Sequence, residues 1–241
     1  MQLSLMTTSN NMKKKQVTDK HVCEFCDKEF AKETSLIKHA CETKRRWQER
    51  DNHGNRIGFS AWLQFYSKHS NRKKKEYVDF VKSAYYTAFV RFGNYCVEAQ
   101  VMNPSRYVDY LLKNQISVDT WNRDSVYTKF IIDYLRAEDP LDAIARSIET
   151  TVELAKQEKI ETKDVLRYGN RNKLCFEITK GKISPWMLYQ STSGLEFLES
   201  LDHTQQKMIL EYINPEQWAL KFMKHKNMIP EIKELLNAGG Y

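Results

Sequence analysis

The stretch CEFCDKEFAKETSLIKHAC, residues 23–41, holds three of the chain's five cysteines and one of its six histidines. Thiolate sulfur and imidazole nitrogen are the preferred ligands of Zn²⁺, which takes four of them tetrahedrally in a structural site. Cys23 and Cys26 have the two-residue gap of a hairpin knuckle, a spacing that points both sulfurs at one ion. His39 follows Cys26 after twelve intervening residues, and Cys41 lies two further on. Cys41 is the nearest candidate for the fourth position, with His21 and Glu42 as alternatives. Residues two apart on a regular helix point about 200° away from each other. His39 and Cys41 can therefore serve one ion only if a helix ends or tightens at His39.

Between the ligands, Phe30 lies four after Cys26, Leu36 six after Phe30, and His39 three after Leu36. From about His21 to Cys41 the chain resembles a zinc finger of the two-Cys two-His family. The resemblance implies a ββα unit whose small core is Phe30 and Leu36, and it covers only 20 to 30 residues. It departs from the family at the fourth ligand. The family places a histidine or cysteine four to six residues after the first histidine, whereas Thr43, Lys44 and Arg45 stand here. The expected set is Cys23, Cys26, His39 and Cys41, holding one Zn²⁺. A lone finger buries too little to fold without metal, so the ion supplies its folding energy. In the family, residues near the N-terminal end of the helix read about three base pairs. Carried over, these are Lys32, Ser35 and Lys38.

Charge points the same way. Residues 1–76 carry 17 Lys+Arg against 9 Asp+Glu, while residues 77–241 carry 21 against 22. The positive excess is clumped at Lys13-Lys14-Lys15, Lys44-Arg45-Arg46 and Arg72-Lys73-Lys74-Lys75. One sign of charge beside a finger is the footprint expected for a polyanion, DNA or RNA. Trp47, within KRRWQER, has two readings: it stacks on a nucleobase or it covers the finger. Cys96 and Cys175 stand alone in apolar stretches and read as small buried hydrophobes. An odd count without a regular framework is not a disulfide scaffold. With no signal-like run and no membrane-length apolar stretch, the expectation is an intracellular protein in a reducing compartment, without a membrane partner.

The elements that must carry this site follow from periodicity. The fold class expected is all-α: a small N-terminal ββα zinc finger followed by a multi-helix domain. Residues 1–20 read as a flexible basic arm, 21–50 as the finger with its basic extension, 51–58 (DNHGNRIG) as a linker, and 59–241 as the helical domain. Only 8 Gly and 5 Pro argue against a loop-rich or sheet-rich fold. Tyr77, Phe80, Val81, Ala84, Ala88, Phe89, Phe92 and Cys96 recur at three- and four-residue steps, one face of a long helix. Val126, Phe130, Ile131 and Tyr134 line a second. Leu141, Ile144, Ile148, Val152 and Ala155 line a third, opened by the cap Asp139-Pro140. NPSRYVDYLLK (103–113) and NPEQWALKFMK (214–224) share an Asn-Pro start and a terminal Lys. They read as a duplicated unit or as two independently capped helices. Trp121, Trp186 and Trp218 are expected in the core.

No Gly-rich phosphate loop, nucleophile elbow or paired-histidine metal motif occurs. His53 and Asn55 lack the second histidine that a nuclease motif would need. The expectation is a non-enzymatic accessory protein of replication, transcription or packaging. The basic clusters supply sequence-nonspecific affinity, and the helical domain holds a protein partner. The alternative is an assembly protein that uses finger and helices to bind other proteins.

Overall fold

The computed structural model describes residues 20–69 and 75–241. The basic arm, except for its last residue, and Arg72, Lys73 and Lys74 lie outside the described residues. Among the described residues the chain is helical apart from one two-stranded antiparallel hairpin, as the all-α reading requires.

That hairpin pairs β1 (His21–Val22) with β2 (Glu29–Phe30), in the register His21 with Phe30 and Val22 with Glu29. Its turn closes through Asp27, which sits in the left-handed region at φ 57°. Two short helices follow, α1 (Glu33–Lys38) and α2 (Glu42–Gln48). Neither contributes a buried residue.

The helical domain starts earlier than periodicity suggested. Residues 53–58, expected as linker, are the first turns of α3 (His53–His69). The glycines that looked like loop signals are packing positions. A Cβ on Gly93 would lie 1.9 Å from the Gly54 carbonyl oxygen and 2.7 Å from the Gly58 nitrogen. These three glycines therefore let α3 lie directly on α5 (Tyr86–Glu98), a close approach that any side chain would block.

The long helix expected over 77–96 is two helices. Between α4 (Tyr77–Val81) and α5 the chain turns at Ser83. The Ser83 hydroxyl accepts from the Tyr85 amide (3.1 Å) and from the Trp62 indole N–H (3.2 Å). A serine oxygen that captures a nearby amide competes with the helical ladder, and Ala84, expected on the apolar face, is exposed.

Next come α6 (Pro104–Lys113), α7 (Asp124–Ala137), α8 (Pro140–Glu158), α9 (Val165–Tyr168), α10 (Arg171–Thr179), α11 (Pro185–Gln190), α12 (Thr192–Glu199), α13 (His203–Ile213), α14 (Pro215–Lys224) and α15 (Ile229–Ala238). The Asn-Pro and Asp-Pro starts behave as caps. Asn103 accepts from the Arg106 amide, Asn214 from the Gln217 amide, and Asp139 from the Leu141 amide. The starts of α6 and α14 recur, but their packing does not. Tyr107 of α6 donates to the Trp121 carbonyl, whereas Trp218 of α14 donates to that of Tyr212.

One apolar core runs through the domain. Trp121, Trp186 and Trp218 are all buried. Trp121 sits edge-on to Phe89 and Phe92 and donates to the Ile116 carbonyl at 2.9 Å. Trp186 packs against Phe222 and Trp218. A part-buried pair, Arg146 with the buried Glu138, ties α8 to the end of α7, and Arg146 also donates to the Gly181 carbonyl at 2.9 Å.

Candidate metal centre

Each ligand is placed by a local device. The turn after β1 carries Cys23 and Cys26; the Asp27 amide donates to the Cys23 carbonyl, and the Cys23 amide to that of Lys28. Burial pushes the Cys23 thiol up, but backbone hydrogen bonds from Phe25 and Cys26 outweigh it and hold this thiol below the ordinary cysteine range. α1 delivers His39 and then stops. His39 is extended (φ −69°, ψ 117°), so the helix ends at Lys38 and the chain reverses the direction of the next side chain. Cys41 is extended as well and opens α2, its sulfur accepting from the Lys44 amide at 3.4 Å. This abrupt end is what allows two residues so close in sequence to face one point.

The result is a compact group. The ligand atoms of Cys23, Cys26, His39 and Cys41 all lie within 4.8 Å of one another. Cys23 Sγ and Cys41 Sγ are 4.0 Å apart, and Cys26 Sγ is 3.2 Å from His39 Nε2. Zn–S bonds of about 2.3 Å at tetrahedral angles put sulfurs roughly 3.8 Å apart, so the spacing suits a single ion. Three thiolates and one imidazole form a donor set of closed structural zinc sites. The other two candidates for the fourth position are accounted for. His21 stands outside this group, and Glu42 accepts from Arg45 and Arg46. Phe30 packs on the His39 ring at 4.8 Å between centroids, a contact that orients the imidazole.

The proposed nucleic-acid residues separate into three sets. Lys32, just before α1, and Ser35 and Lys38 on it are exposed, and Lys44, half-buried, and Arg45, exposed, lie on α2. Arg46 and Trp47 instead join this unit to the helical domain. Arg46 donates to the Val81 carbonyl at 3.0 Å and lies over the Tyr86 ring at 4.4 Å. Trp47 packs between Phe25 and Tyr77. Of its two readings, the contact observed is the covering one. Lys75 stands over Tyr66 and Trp62, apart from the metal group. Asn55, singled out beside His53, is buried and donates to the Glu49 carbonyl at 2.8 Å, a structural role.

Sequence reasoning missed the seam. Arg46, Trp47, Tyr77, Val81 and Tyr86 form it, with Lys82 paired to Asp27 at 3.7 Å on its rim. The one signal for it was the tryptophan inside a basic run.

Cys96 and Cys175 are buried far from the group, and burial pushes their thiols up to about 12 and about 11. Among the described residues no helix is long and apolar enough to cross a membrane. Comparison with family models, curated proteins and solved structures finds no match to this chain.

Proposed function

We propose that residues 21–42 are a zinc finger with a Cys-Cys-His-Cys ligand set, and that the chain is a non-enzymatic accessory protein docking on nucleic acid largely without regard to sequence. The observation that carries this reading is the four-ligand group itself. Four protein ligands fill a tetrahedral shell and leave no position for water or substrate, so the ion serves folding rather than catalysis. The ordered unit then presents exposed cations, Lys32, Lys38 and Arg45 among them, on a chain whose positive excess lies in its first third. Replication, transcription and packaging are settings for such a factor. The thiolates suit a reducing, intracellular compartment.

The test is a mobility-shift assay of the whole chain against duplex DNA, single-stranded DNA and RNA at two salt concentrations. The expected result is binding that weakens steeply with salt and differs little between unrelated sequences. No binding at low salt overturns it.

One observation favours a second reading, a protein-assembly role. Leu210, Leu220, Met223 and Leu235, on α13 to α15, are exposed at the opposite end of the chain from the finger. Charge substitutions at Leu220 and Met223 that change the protein's oligomeric state or partner capture, with nucleic-acid affinity unaltered, would support it.

A further inference from the structure

Where α1 stops and α2 begins, the chain leaves a notch of about 360 Å³. Ile37 and Lys38 form one wall, Lys44, Arg45 and Gln48 the other, and His39 to Cys41 the floor. Its chemistry is lopsided. Three cationic side chains line it, and Glu42, the nearest acid in sequence, is engaged by Arg45 and Arg46. Among the described residues no carboxylate lies within ion-pair distance of Lys38 or Lys44. Several other cations of the region are engaged, Arg46 in the seam, Lys75 over aromatic rings and Lys82 on Asp27, while Lys32, just before α1, is the rival exposed cation. Ile37 stands on the rim 67% exposed, an apolar side chain that packs on nothing in the core.

We infer that this notch is a phosphodiester site: a backbone phosphate of the nucleic acid sits between Lys38 and Lys44, with the adjoining sugar against Ile37. The inference rests on the nucleic-acid reading above and moves the contact. The residues carried over from the finger family as base readers are Lys32, Ser35 and Lys38, and of these only Lys38 lines the notch. The notch lies at the C-terminal end of α1. Phosphate contact there carries no sequence information, in keeping with sequence-blind docking.

The competing role for Lys38 and Lys44 is local. A Zn²⁺ ion with three thiolates carries one net negative charge, and lysines beside it would offset that charge. The two roles separate experimentally. The full chain, zinc-loaded, is titrated with a 20-base-pair duplex and with single-stranded DNA and RNA of the same length over a series of salt concentrations, zinc content being measured for every variant. Lys44→Gln is expected to flatten the log–log salt slope by roughly 0.9 for duplex, or 0.7 for a single strand, and Lys38→Gln/Lys44→Gln by about twice that. Lys44→Arg keeps the wild-type slope. Ile37→Ser weakens binding at every salt concentration without changing the slope. Zinc stays at one per chain throughout.

The inference is overturned if Lys32→Gln flattens the slope while Lys44→Gln does not; nucleic-acid binding then stands, but at the helix N-terminus. It is also overturned if Lys44→Gln sheds zinc, because the lysine then serves the thiolates. A wild-type chain without affinity at low salt removes the nucleic-acid reading and this site together. Whichever of duplex DNA, single-stranded DNA and RNA shows the steepest slope identifies the source of the phosphate.

Discussion

The segment before α3 and the helical domain hold their shape by different means. From residue 20 to residue 53 a single side chain, Cys23, is buried. The helical domain buries four tryptophans and a continuous apolar core around them. Burial of a large apolar side chain contributes about 1.5–3 kcal/mol, a source of stability the domain has many times over and the N-terminal unit lacks. What the unit has instead is four ligand atoms converging on one point. Its secondary structure is correspondingly slight, two two-residue strands and helices of six and seven residues, lengths that are not stable alone in water. On the zinc reading proposed above, a coordination shell replaces a core, and this short N-terminal segment is conditional on metal while the helical domain is not.

The sharpest way to break that comparison is to take the metal away. Chelation, or Cys23→Ala, is expected to unfold residues 21–42 and leave the helical domain folded. Structural zinc in finger peptides contributes about 10–16 kcal/mol of apparent binding free energy at neutral pH, far more than so small a unit holds in reserve. Hydrogen exchange should show complete loss of protection in α1 and little change in α10 to α15. Thiol counting gives a second readout. Cys96 and Cys175 are buried with raised pKa values and should stay unreactive at pH 8, well below the values of about 12 and about 11 at which they ionise. Chelation should therefore expose three of the five cysteines, and denaturant all five. Zinc-free protein with all of its α1 protection intact would sink the idea that the ion replaces a core.

The converse experiment strikes the core and spares the metal. Trp121→Ala removes a fully buried ring packed on Phe89 and Phe92 and strands the Ile116 carbonyl that its indole N–H satisfies. A loss of about 3–5 kcal/mol is expected, read as a lower Tm with zinc stoichiometry unchanged. Gly93→Ala probes the same domain at a single carbon. Its Cβ would meet the Gly54 carbonyl oxygen at 1.9 Å, so α3 and α5 must separate. Overpacking of this kind costs about 1–3 kcal/mol. If Gly93→Ala melts at the wild-type temperature, the glycines are not what sets that helix pair.

Much of this was legible in the sequence, and for a consistent reason. Metal ligands and helix caps are local: Cys23 to Cys41 spans a few turns of chain, and Asp139-Pro140, Asn103-Pro104 and Asn214-Pro215 act within one turn. Amphipathic spacing likewise placed α7 and α8, because the face a helix buries is written along it. What spacing could not supply was contact across long separations. Gly54 and Gly58 carry the local signature of a loop, and only Gly93, on another helix, makes them helix-packing residues. The apolar repeat from Tyr77 to Cys96 is continuous in sequence, yet Ser83 breaks it while accepting a bond from Trp62, 21 residues away. Arg46 in a run of bases suggested a partner outside the chain. Its partner is a carbonyl 35 residues further along the same chain.

That arginine also gives the smallest expected effect and the one that tells whether the two regions communicate. Arg46 is the strongest polar tie across the seam: its guanidinium donates to the Val81 carbonyl, lies over Tyr86 and is held by Glu42 from its own helix. Arg46→Met keeps the length and apolar stem of the side chain, so Trp47 retains its neighbours Phe25 and Tyr77. What is lost is one charge-assisted hydrogen bond across the seam, one cation–π contact and the exposed pair with Glu42, which keeps Arg45 as its partner. A hydrogen bond to a charged group contributes about 1.5–3 kcal/mol and a partly exposed cation–π contact about 0.5–1 kcal/mol. Much of this is offset because the freed Val81 carbonyl lies at a helix end that water can reach once the arginine has gone. A net loss of about 1–2 kcal/mol is therefore expected, close to the lower of these values. Hydrogen exchange should localise it to α2 and α4 and leave α10 to α15 as they are, with zinc still bound. If protection falls across the whole helical domain, the seam supports the core and the two regions are one cooperative unit. If nothing changes, the apolar contacts of Trp47 alone hold the N-terminal unit in place.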